Sequence, residues 1–81
     1  MTQEEKELRL QQLNELQFEL KKEIERGDEH AIKCIKFGYI YSERYPQEYE
    51  DYLVALKAYN DNEAEIQQLQ AIETDEHHGQ L

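Results

Sequence analysis

Punctuation and cross-linking chemistry are nearly missing from this chain. It has one proline, three glycines, one cysteine and no tryptophan in 81 residues, and only 9 Lys+Arg against 19 Asp+Glu. Cys34 alone cannot close an internal disulfide, so a stapled secreted miniprotein is excluded and a reducing, cytoplasmic setting is expected. No run approaches the roughly 18 apolar residues of a membrane span, and the charged opening MTQEEKEL has no apolar stretch behind it, so neither targeting nor anchoring is expected. A net charge of −10 repels phosphate backbones and anionic headgroups, which disfavours direct nucleic-acid or membrane binding and favours a protein partner with a basic surface.

What remains is a helical vocabulary. The 18 Leu, Ile, Val and Phe residues are enough for one small domain but not for two. Thr2 followed by Glu5 is a capping box, which starts a helix at about residue 3. Leu10, Leu13, Leu16, Leu20 and Ile24 then recur at spacings of three and four, the signature of one apolar helix face. Gly27 after Arg26 reads as a left-handed stop, with Asp28 capping the next element. Residues 31–41 fit both a helix and an alternating strand. Helix is preferred, because a lone strand would have no partner, and Gly38 is expected to permit close packing within it. Pro46 starts a further helix, carried by Tyr49, Tyr52, Leu53, Leu56 and Tyr59; past Asn60-Asp61-Asn62 the stripe goes on with Ile66, Leu69 and Ile72, and continuity is preferred over a separate short helix capped by Asn62 with Glu65.

The expected fold is therefore all-α: a three-helix bundle, or a helical hairpin with a shorter central helix. The helices fall at about 3–26, 28–44 and 47–73 in a single domain over 1–73, with a disordered polar tail over 74–81. One apolar contact per turn is thin for a monomer of this length. A homodimer through Leu10, Leu13, Leu16, Leu20 and Ile24 is accordingly expected.

Chemistry-bearing patterns are weak. His30 and Cys34 stand at i,i+4, but a metal site needs three or four ligands and the only other histidines are His77 and His78, so no metal and no cofactor is assigned. Carboxylate pairs such as Glu48 with Glu50 or Asp51 are expected by abundance alone, Ser42 is the sole serine, and no glycine-rich phosphate loop exists. The chain is read as non-catalytic.

Two features do stand out. Seven of the eight aromatics lie between residues 37 and 59, and Tyr39, Tyr45, Tyr49 and Tyr52 gather around the Pro46 turn. Some fill the core with their hydroxyls at its edge, and the surplus forms a corner suited to protein binding. Charge is segregated as well: residues 1–26 carry 7 acids and 5 bases, residues 27–44 carry 3 of each, and residues 45–81 carry 9 acids against the single base Lys57. Glu48, Glu50, Asp51, Asp61 and Glu65 thus join the tyrosines as the expected partner-binding residues. The expected function is an adaptor or inhibitor, including one that occupies a basic nucleic-acid-binding groove as a DNA mimic. The alternative is a homo-oligomeric structural or chaperone-like assembly protein with no external ligand.

Overall fold

A computed structural model describes residues 2–72; the expected tail over 74–81 lies outside them. The chain folds as an antiparallel hairpin of two long helices, α1 (Gln3–Phe37) and α3 (Pro46–Ala71), joined through the single-turn α2 (Tyr41–Arg44). There are no strands among the described residues.

Both long helices begin where local chemistry dictates. Thr2 Oγ1 accepts from the Glu5 amide at 3.2 Å, satisfying one of the orphan donors of the first turn. Pro46 occupies the first turn of α3, where its missing N–H costs nothing, with Glu48 on the positive end of the helix dipole. The Asn60-Asp61-Asn62 segment stays helical, as expected.

The end of α1 corrects the sequence reading. The helix passes through Gly27 and stops at Gly38, so residues 28–37 belong to α1, and of the expected central helix 28–44 only Tyr41–Arg44 forms a separate turn. Gly38 adopts φ 78°, ψ 22°, its amide donates to the Ile35 carbonyl at 3.1 Å, and the Tyr39 amide donates to the Cys34 carbonyl at 2.7 Å. That pair of bonds is a Schellman motif, in which a left-handed residue lets the chain turn back on the last carbonyls. Gly27 is instead buried in mid-helix, beneath the ring of Tyr52; a Cβ there would fall 2.7–2.8 Å from Cε1 and Cγ of that ring. The two glycines have exchanged the roles expected of them. Asp28, expected as a cap, accepts the Tyr52 hydroxyl's hydrogen bond.

The seam between the helices follows a heptad. On α1 the inward positions are Leu10, Leu13, Gln17, Leu20, Ile24, Gly27, Ala31 and Cys34, in alternating steps of three and four; on α3 they are Tyr52, Ala55, Tyr59, Asn62, Ile66 and Leu69. Leu16 is corrected here: it lies 48% exposed, and Gln17 takes its place at the seam. Gln17 is tolerated because the buried Asn62 amide donates to its Oε1 at 2.7 Å and to the Leu13 carbonyl at 2.8 Å, which satisfies both N–H groups of Asn62 and the Gln17 oxygen. The stripe expected to meet a second copy is therefore engaged within the chain at Leu13, which is buried, and at Leu10, Leu20 and Ile24, which are half-buried.

The result is a rod, 62 × 18 × 14 Å, with a radius of gyration of 18.3 Å. A compact domain of this length would have about 12 Å.

Candidate interaction site at the hairpin tip

The aromatic cluster seen in the sequence assembles where α1, α2 and α3 meet. α1 contributes small residues at its inward positions, Gly27, Ala31 and Cys34, and this leaves room for large rings from α2 and α3. Tyr41 is the hub. Its ring lies 5.0 Å from His30, 5.5 Å from Tyr49, 6.2 Å from Tyr52 and 6.5 Å from Tyr45, in the tilted and edge-on arrangements that aromatic quadrupoles favour. His30 is sandwiched between Tyr41 and Tyr45, with 4.3 Å to the latter, and its Nδ1 meets Glu48 Oε2 at 2.6 Å. His30 thus ties α1 to both other elements. No local pattern marks it, since the residues around it come from α2 and α3.

Tyr45, Tyr49 and Tyr52 are half-buried within this cluster, and Tyr39 stands outside it. Tyr39 is 45% exposed, with the Arg44 guanidinium 4.6 Å over its ring and Phe37 at 6.5 Å. Burial raises the Tyr41 hydroxyl above its ordinary value of 10.0, helped by the negative charges of Glu48 and Asp51. For Tyr52 the hydrogen bond to Asp28 is the main cause of a similar rise, with burial second. Both hydroxyls therefore stay neutral at physiological pH.

The acidic residues of α3 fall into two groups. Glu48 serves His30, Asp51 Oδ1 accepts from Gln47 Nε2 at 3.1 Å, Glu65 Oε2 receives Arg9 Nε across the hairpin at 2.8 Å, and Asp61 lies 3.3 Å from Lys57 one turn away. Glu50 and Glu63 are exposed to solvent. The ion pairs are themselves largely exposed, so each contributes roughly 0.2–1 kcal/mol and leaves the negative field of the helix in place.

The tip also holds a concave cavity of about 340 Å³, flanked by Tyr41, Tyr52 and the carboxylates of Glu23, Glu48 and Asp51. Among the described residues no group of three or more His, Cys, Asp or Glu is placed to hold a metal ion, and Cys34 is buried and unpaired with any sulfur. Among the described residues no helix is long and apolar enough to cross a membrane. Comparison with known proteins finds no family model, curated protein or solved structure that matches this chain.

Proposed function

We propose that the chain is a non-catalytic protein-interaction module, an adaptor or inhibitor whose acidic third helix and aromatic tip engage a protein with a basic surface, including one whose basic groove otherwise holds nucleic acid. The observation that carries this reading is the segregation of charge. The described part of residues 45–81 bears Glu48, Glu50, Asp51, Asp61, Glu63 and Glu65 against Lys57 alone, along one continuous helix of 26 residues that starts at the aromatic tip. Carboxylates spaced along a rigid rod present a line of negative charge to a basic groove, and the field accelerates encounter before any contact forms. Tyr39, half exposed, and the edges of Tyr45, Tyr49 and Tyr52 supply apolar area beside that charge.

The test is affinity capture from the source cell at low and at high salt, followed by association kinetics with the captured partner. The expected partner has a basic groove, and its association rate falls steeply between low and high ionic strength. A partner that binds equally well at both salts counts against the reading.

A second reading, a homo-oligomeric structural protein, is supported by a different observation. Leu8, Phe18, Ile32, Ile35, Phe37, Ile40 and Val54 are each more than half exposed on a rod too thin to cover them. Sedimentation equilibrium separates the two: a monomer at every concentration removes the assembly reading.

A further inference from the structure

The cavity at the tip has a chemical character of its own. On one side the ring of Tyr52 packs on the backbone of Gly27, the one inward position of α1 without a side chain, and the two line the cavity together. Tyr41 lines the cavity beside it, and both hydroxyls stay neutral, so the two rings bring aromatic surface and no charge of their own. Three carboxylates, Glu23, Glu48 and Asp51, stand around the rings. Arg26 lines the cavity with them; it is 72% exposed and pairs with Glu23 at 3.1 Å on its own helix. His30 is already committed to Glu48. Carboxylates thus outnumber cations at the rim, which disfavours an anion. A volume of about 340 Å³ lies at the small end of ligand cavities and suits one long side chain better than a cofactor.

We infer that this cavity receives the guanidinium group of an arginine side chain presented by a basic protein partner, an inference that rests on the interaction-module reading above. Guanidinium is planar and weakly hydrated, so it stacks on tyrosine rings while its N–H fork reaches carboxylates at the rim. A lysine ammonium is more strongly hydrated and has no flat face to stack. Asp51 is the rim carboxylate best placed to discriminate, because Glu48 holds His30 and Glu23 holds Arg26, whereas Asp51 is tied only to Gln47 on its own helix.

The experiment uses the full chain with a hexa-arginine and a hexa-lysine peptide as probes, followed by NMR at low salt. The expected result is saturable shifts of the Tyr41 and Tyr52 ring signals with hexa-arginine, and a dissociation constant roughly five-fold lower than for hexa-lysine. Asp51→Asn should weaken hexa-arginine by about five-fold. Asp51 makes no link between helices in the hairpin's hydrogen bonds, so its variant should melt with the parent; the ring-shift map of the unmodified chain stands as a readout that needs no variant at all. Binding of both peptides with equal affinity and shifts centred on Asp61 and Glu63 would overturn the cavity assignment while leaving the acidic-helix reading intact. No binding of either peptide at low salt overturns both.

Discussion

The two ends of this hairpin are closed by different chemistry although the same pair of helices runs through both. Toward the chain termini, Leu10, Leu13, Ile66 and Leu69 form an aliphatic seam interrupted by one amide layer, Asn62 with Gln17. Toward the tip, α1 narrows to Gly27, Ala31 and Cys34, and rings from Tyr41, Tyr45, Tyr49 and Tyr52 fill the space with His30 among them. Aliphatic packing is non-directional and holds two helices together; the ring cluster adds hydrogen bonds and ionisable groups at fixed places. Register is set at both ends, by an amide pair at one and by a ring seated on a glycine at the other. Gly27 opposite Tyr52 and Gln17 opposite Asn62 are the same antiparallel alignment, ten residues apart on each helix.

Breaking the aliphatic end should cost most. Leu13→Ala removes a side chain that is 3% exposed and should destabilise the fold by about 3 kcal/mol, whereas Leu16→Ala, at 48% exposure, should cost a small fraction of that; equal losses in urea denaturation would mean that the seam runs through Leu16 after all. At the tip, Gly27→Ala gains helix propensity but drives a methyl group into the Tyr52 ring. A net loss of about 2 kcal/mol is expected, seen as a melting temperature lower by roughly 10 °C and a change in near-ultraviolet tyrosine dichroism. Asn62→Ala strands the amide layer and should cost about 1.5 kcal/mol. Replacing both partners, Gln17→Leu with Asn62→Leu, should recover the stability yet relax the alignment, giving mixed species in sedimentation velocity where Asn62→Ala alone gives one.

The smallest expected effect sharpens the comparison by pH. Tyr41 and Tyr52 have folded-state pKa values above their unfolded value of 10.0, so the stability they contribute is complete below pH 10 and is lost as pH rises through the folded values. Tyr52→Phe should be about 1 kcal/mol less stable at neutral pH, for want of the Asp28 bond, and should lose less on going to alkaline pH. An alkaline profile in Tyr52→Phe as steep as the parent's would show that the tip hydroxyls do not govern it.

Much of the hairpin is legible from short-range chemistry. Thr2 and Pro46 start their helices by satisfying or removing orphan donors, and neither needs the rest of the chain to do so. Continuity through Asn60-Asp61-Asn62 follows from an apolar stripe that keeps its phase across the interruption. The corner of tyrosines around Pro46 is likewise visible as a crowding of aromatics, although which of them sink into the cluster and which stay half exposed, as Tyr39 does, is not. Leu16 and Gln17 could not be told apart correctly: hydrophobicity favours Leu16, and only the distant Asn62 makes Gln17 the better seam residue. His30 and Asp28 were hidden for the same reason, since their partners Glu48 and Tyr52 lie on another helix.

The glycines set the boundary between the two kinds of information. By itself the sequence determined that this scarcely punctuated, acidic chain is helical, where its long helices begin and on which segment its charge collects, because caps, periodicity and charge act over one or two turns or by simple addition. Which glycine ends a helix and which lies under a ring was decided only in the tertiary structure. Both glycines can adopt a left-handed turn, but a helix continues through Gly27 when the ring of Tyr52, 25 residues further along, needs the space that a missing side chain leaves. Beyond its own chain neighbours Gly38 has no atom within 4 Å of where a Cβ would stand, and its φ of 78° turns the chain.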